Sequence, residues 1–323
     1  MPSFSRRVCG VMFTALAAST GAYAQINSAT YHPREFNDVP GSALTIVSNY
    51  PSLIAFSDLN VSSPTGFANR HVWRFSGDSG ATAYKFTNDQ FFTVTMTVTL
   101  TGDPASPRKE AGFLLDTLGG QGQFIVNSDA HEVVAFGGPL PFYAFPATFQ
   151  SGDTITLGIT YFLDSNGKRA IIYSADCMQS PPKEFTNLEQ GIIDNSTLGG
   201  YLQVVNAPTI PTNSGIAMFQ NIQIGSPDQD FDGVPDSVDL CPNTPPCTVV
   251  SAEGCSIEQL VPCAGPASGG TWRNHGAYVS AFVHAVNAFR AQGLISADER
   301  EMMVSEAAQS DCGRKGKRSH DGK

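Results

Sequence analysis

The sequence predicts a mainly β protein: an antiparallel two-sheet sandwich, then a Cys-rich acidic segment, then a small C-terminal α-helical hairpin. Three observations carry that prediction. Residues 26–225 are a succession of short period-two patterns separated by Gly, Pro, Asn and Asp; residues 226–266 change abruptly to Asp, Cys and Pro; residues 272–311 switch to helical spacing. With 323 residues, 41% hydrophobic and 15% charged, the chain has apolar material for one sizeable core and smaller appendages, which excludes disorder over most of its length.

Residues 1–24 read as an export signal. Arg6 and Arg7 precede an apolar run, and Ala22-Tyr23-Ala24 supplies a small-residue cleavage site before Gln25. No later apolar stretch is long enough to span a bilayer, so the expectation is a secreted protein, extracellular with periplasm or cell surface as further options. Removal of the signal takes Cys9 away and leaves Cys177, Cys241, Cys247, Cys255, Cys263 and Cys312, an even set in a compartment that permits disulfides. A zinc site competes, but these thiols form no C-x-x-C pair and have no His beside them. Disulfides are expected, with the pairing open.

Within 25–225 the clearest element is Phe91 to Thr101, where Phe92, Val94, Met96, Val98 and Leu100 take one face and threonines the other. Thr154 to Asp164 repeats that arrangement, and Ser165-Asn166-Gly167 turns it into a second strand, 169–175, as a hairpin. Further strands are expected at 44–48, 52–57, 72–76, 82–86, 111–116, 122–127, 132–136, 201–205 and 216–224. The aromatic, proline-rich stretch 139–149 is expected to cover the end of the core rather than to stack on sugars. The long alternating strands, EAGFLLD at 110–116 and IAMFQNIQI at 216–224 make this region similar to the concanavalin-like jelly roll of lectins, laminin-G-like modules and certain glycoside hydrolases. That resemblance implies a jelly-roll sandwich with a glycan or cell-surface partner.

The strongest local signal follows. Counting Asp228 as the first position, Asp228, Asp230, Asp232, Asp236 and Asp239 occupy the oxygen-bearing positions of an EF-hand-type loop, with Gly233 at the turn and the Val234 carbonyl between. A hard divalent cation needs six to eight oxygens at about 2.3–2.6 Å, and alternate residues of a tight loop aim theirs inward. Carboxylates this close repel one another without a cation, so calcium is expected to fold the segment. An acidic linker that binds nothing is the competing reading. The run Asp228 to Pro245, with Gly254-Cys255 beyond it, resembles a thrombospondin type-3 calcium-binding repeat, which implies that those five aspartates and Val234 are the metal ligands.

In the hairpin region, 267–312, Tyr278, Val279, Phe282, Val283, Val286 and Phe289 form one stripe, and Ser296 with Glu299 makes a capping box for a second helix after Gly293. His275 and His284 read as packing or capping residues. Residues 313–323 read as a disordered basic tail.

Other chemistry is thin. Gly77-Asp78-Ser79-Gly80 copies a serine-protease nucleophile segment but lacks a general-base His with its orienter. His131-Glu132 has no second His four residues on. Glu110 and Asp116 share a strand face, yet six residues of strand separate them by about 20 Å, too far to act on one glycosidic bond. No catalytic residue is assigned, and calcium is the one expected cofactor. A net charge of −10, from 19 basic and 29 acidic residues, removes the footprint of a nucleic-acid binder. The function expected is a secreted, calcium-binding, multi-domain protein that adheres to a glycan or cell-surface polymer. The alternative is a polysaccharide hydrolase or lyase with its site on the sandwich.

Overall fold

The computed structural model describes residues 25–185 and 193–314. The export signal expected at 1–24 and most of the basic tail lie outside the described residues. The chain divides into two compact units, Met1–Asp228 and Gln229–Lys323.

The first unit is two antiparallel sheets in jelly-roll arrangement. The first sheet runs, in spatial order, β1 (Ser28–Asn37), β4 (Ala68–Ser76), β14 (Thr197–Val205), β6 (Lys109–Thr117), β7 (Gly120–Asn127), β8 (Val133–Phe136) and β9 (Tyr143–Ala144). The second runs β12 (Met178–Gln179), β11 (Arg169–Ala175), β10 (Thr154–Leu163), β5 (Phe92–Asp103), β15 (Ser214–Gly225), β3 (Leu53–Leu59) and β2 (Ala43–Asn49), with β13 (Lys183–Glu184) also on β11. Between the sheets the alternate residues of β5 meet Trp73, Phe75, Phe113 and Phe124 in one core. Each such side chain contributes about 1.5–3 kcal/mol on burial. Trp73 is accommodated because its neighbours on β14 are glycines: a Cβ on Gly200 would lie 2.6 Å from the indole nitrogen. On the opposite face of β5 the threonines pair with those of β10, Thr93 with Thr160 at 2.7 Å and Thr99 with Thr154 at 2.7 Å.

Parts of the fold differ from the sequence expectation. Strand β1 was not expected, because Pro33 and an irregular register hide its alternation: His32 pairs with Val72 and Phe36 with Arg70, so four steps on β1 answer two on β4. The strand expected at 82–86 reduces to a single bridge from Phe86 to Ser196. Asp78 takes the amide and hydroxyl of Thr82 into a turn, which draws that stretch off the ladder. In the 139–149 stretch Leu140, Phe145 and Phe149 are buried as expected, while Phe142 is exposed.

The second unit contains α1 (Ile257–Leu260), α2 (His275–Ala291) and α3 (Ala297–Gln309). Tyr278, Phe282, Val286 and Phe289 bury the inner stripe of α2, and Ser296 with Glu299 closes the expected capping box at the start of α3. His275 sets Nδ1 2.8 Å from the Cys312 carbonyl and Nε2 3.0 Å from that of Ala308, tying the start of α2 to the end of α3. Cys241–Cys255 and Cys263–Cys312 are disulfides, and Cys177 and Cys247 are disulfide-bonded as well, which removes the thiolates a zinc site would need. No helix among the described residues is long and apolar enough to cross a membrane.

Candidate functional site

The acidic loop gathers part of the expected ligand set. Carboxylate oxygens of Asp228, Asp230 and Asp232 all lie within 4.8 Å of one another. Gly233 follows with φ +94°, the conformation the turn requires. Asp236 is turned to Gln229, accepting its backbone N–H at 2.8 Å and its side-chain amide at 2.7 Å. Asp239 accepts the Cys241 N–H at 2.7 Å, and the Val234 side chain is buried. The loop thus brings the first three aspartates together, while Asp236 and Asp239 hold backbone and amide partners.

The electrostatics of this loop are those of a crowded, partly desolvated set of anions. Burial pushes the Asp232 carboxyl up to about 7, and the charges of Asp230 and Asp239 add to it. Asp239 is also raised, first by burial and then by Asp230 and Asp236. Asp232 Oδ2 is buried with no hydrogen-bond partner among the described residues. The opposing wall is Gly254 at φ +79°, where a Cβ would stand 2.0 Å from Asp239 Oδ1 and 3.2 Å from Asp232 Oδ2. The residues present therefore fit a hard cation: every donor is oxygen, one buried oxygen lacks a partner, and a glycine keeps the space beside it clear.

A second constellation, not expected from sequence, covers the face of the first sheet turned away from the main core. Strands alternate, so Val72, Leu114, Ile125, Val134 and Tyr201 lie on this outer face and form their own apolar cluster. Polar side chains link up across it. Glu110 Oε1 accepts from Tyr201 Oη at 3.0 Å and from the Gln203 amide at 3.1 Å. Gln203 accepts from Arg70 Nε at 2.9 Å, and Arg70 Nη1 donates to Gln121 at 2.7 Å. Gln121 donates to Asp116 at 2.7 Å, and Arg74 donates to both Asp116 and Glu35. Glu110 and Asp116, too far apart along β6 to share a substrate bond, are thus joined through side chains of three other strands.

Arg70 is the centre of this network. Its guanidinium lies 4.8 Å from the Phe36 ring centre and 5.2 Å from that of Tyr201. Among the described residues the ion pairs of this face belong to Arg74, with Glu35 and Asp116, and to Arg108, with Glu110, Asp129 and Glu132; none belongs to Arg70. Burial raises the Glu110 carboxyl, against the Tyr201 hydrogen bond and the charges of Arg108 and Arg70. The Tyr201 phenol is raised well above its ordinary value by burial and by Glu110. Arg70 and Arg74 left one signal in the sequence: they flank Val72 on the strand parity opposite Trp73 and Phe75.

No family model matches the sequence, and no curated protein matches it. Among solved structures the chain is similar to an alginate lyase from Pseudomonas aeruginosa, at 14% identity and a TM-score of 0.42, over 56% of this chain and 85% of that one. An alginate lyase from Corynebacterium sp. aligns at 11% identity and a TM-score of 0.37, over 55% and 82% of the two chains. A functionally unknown protein from Saccharomyces cerevisiae aligns at 13% identity and a TM-score of 0.37, over 62% and 97%.

Proposed function

We propose that the sandwich acts on an acidic polysaccharide lying along the outer face of its first sheet, and that the acidic loop binds calcium. The observation that carries the first reading is Arg70: a buried guanidinium fixed by two glutamine carbonyls and two rings, with no carboxylate paired to it among the described residues. The acidic groups of the network, Glu110 and Asp116, reach it only through Gln203 and Gln121, so the guanidinium has no carboxylate in direct contact. A uronate carboxylate supplies a directly bonded anion in the planar, two-pronged geometry a guanidinium prefers, and a sulfate ester offers two of its oxygens to the same fork. Phe36, 49% exposed, offers a ring on which a sugar can stack beside the charge.

Binding is the primary role. Hydrolysis by paired carboxylates is disfavoured, because Asp116 stands at the other end of its strand from Glu110. Cleavage by elimination is a second reading, favoured by the raised Glu110 carboxyl bonded to Tyr201 beside Arg70. There the arginine would neutralise the uronate, a basic group on this face would take the proton next to it, and the glycosidic oxygen would leave with a proton from an acid, creating a double bond in the sugar.

For calcium, Asp228, Asp230 and Asp232 would supply the first carboxylates, with Val234 (through its carbonyl), Asp236 and Asp239 as the further donors. The oxidised cysteines suit the secreted setting where free calcium is abundant.

The test is electrophoresis of the oxidised protein through gels containing alginate, polygalacturonate or a neutral glucan, with the same polymers assayed for unsaturated products. Retardation by an acidic polymer, lost in Arg70→Ala, supports binding, and unsaturated products support elimination. Equal mobility in all gels with no product overturns both. Titration calorimetry with calcium decides the loop; no heat at millimolar calcium overturns that part.

A further inference from the structure

Strand β1 reaches the outer face by an unusual route. Between His32 and Phe36 it carries two more residues than β4 needs, and Arg34 in that bulge has φ +59°, a left-handed backbone that a β-carbon disfavours. A conformation of this kind persists only when its surroundings hold it. What holds it is a buried histidine on β4: the Arg34 backbone N–H donates to His71 Nδ1 at 3.1 Å.

That bond fixes the state of the ring. Nδ1 accepts, so the ring hydrogen is on Nε2, where it is donated to Asp58 Oδ2 at 2.9 Å. Both side chains are fully buried. Burial alone would raise the Asp58 carboxyl, but hydrogen bonds from His71, Ser42 and Asn69 outweigh it and keep the group below its ordinary range. The Arg34 guanidinium closes the other side of the strap, donating to Asn37 Oδ1 at 2.8 Å and to the Ser42 carbonyl at 2.7 Å. Because the bulge adds two residues, and not one, Phe36 emerges on the same face as His32 and lands opposite Arg70, against its guanidinium.

We propose that His71 is a positioning residue for the polysaccharide site: through the lone pair of Nδ1 it holds the Arg34 amide, and so places the Phe36 ring beside Arg70. The inference rests on the outer-face reading given above. It makes the two ring nitrogens unequal. Nδ1 serves the site, and Nε2 serves the buried carboxylate.

Two substitutions separate them. Asparagine places an acceptor near the position of Nδ1, and glutamine places a donor near that of Nε2. In a Phe36→Trp background, His71→Asn should leave the emission of the new tryptophan unchanged, whereas His71→Gln should shift it to the red as the ring swings away from Arg70. In alginate gels with Phe36 intact, His71→Asn should be retarded like the parent, and His71→Gln should bind about tenfold more weakly, the worth of one good ring contact. Melting curves followed by circular dichroism check that both variants are folded. If both variants shift the emission alike, or neither does, the role assigned to Nδ1 is wrong. If the emission separates them while no acidic polymer retards the parent, the positioning stands and the polysaccharide reading fails.

Discussion

Replacing Asp232 by asparagine tests the charge balance of the acidic loop, because calcium reverses the expected sign of the effect. The Asp232 carboxyl is raised from 3.8 to about 7 in the metal-free fold. Between those values the folded loop holds a proton that the unfolded chain has released, so metal-free stability falls as pH rises from about 4 to about 7 and is level above that. A gap of about three units at about 1.4 kcal/mol each bounds the loss near 4 kcal/mol. Asp232 is only half-buried, and screening brings the working figure to about 1–2 kcal/mol. Asp232→Asn cannot ionise. In chelator at a pH of about 8 it should therefore be more stable than the parent by about 1–2 kcal/mol, with the difference vanishing near pH 4. In calcium the order should invert, since the parent gains about 2.7 kcal/mol at a hundredfold excess over Kd and the variant has lost a charged ligand. Hydrogen exchange of residues 229–260 in the whole protein, with chelator and with calcium at both pH values, reads the difference locally. A variant less stable than the parent in chelator at high pH, or stabilised equally by calcium, would refute the account.

Other outcomes follow from the same geometry. Glu110→Gln keeps an acceptor for Tyr201 and Gln203; because burial raises the Glu110 carboxyl, the parent loses stability as pH rises through that group's folded-state value, and thermal melts of the variant should lack this decline. Gly254→Ala puts a Cβ 2.0 Å from Asp239 Oδ1 at a left-handed φ, so calcium affinity by calorimetry should drop and local exchange in chelator should quicken by the equivalent of about 1–3 kcal/mol. Replacing both Cys263 and Cys312 by serine opens a loop with a sequence separation of 49, which should cost the second unit about 4 kcal/mol of unfolding free energy, measured by denaturant titration.

The sandwich was legible because its central strands advertise themselves. Strands β5 and β10 alternate over ten or more residues, and a period of two with one apolar face has few structural solutions. The capping box at Ser296 and Glu299 was legible for the same reason, since it depends on residues three apart. Strand β1 was not, because its pairing rests on a bulge held by His71, which lies well outside any local window. The acidic loop was legible as a pattern of spacing, and the structure adds Gly254 as its opposing wall, supplied by residues far along the chain.

The outer-face network marks the limit of reading by sequence. Arg70, Glu110, Gln121, Tyr201 and Gln203 lie on four strands, and nothing in their spacing says that they meet. By itself the sequence determined which residues alternate, where helices begin and where oxygen ligands recur, since each depends on neighbours within a few positions. Tertiary structure alone decided which strands lie side by side, and hence that a buried arginine faces two aromatic rings and two amides with no carboxylate paired to it among the described residues. Strand order is set by the burial of whole sheet faces, a long-range condition that no short stretch of sequence contains.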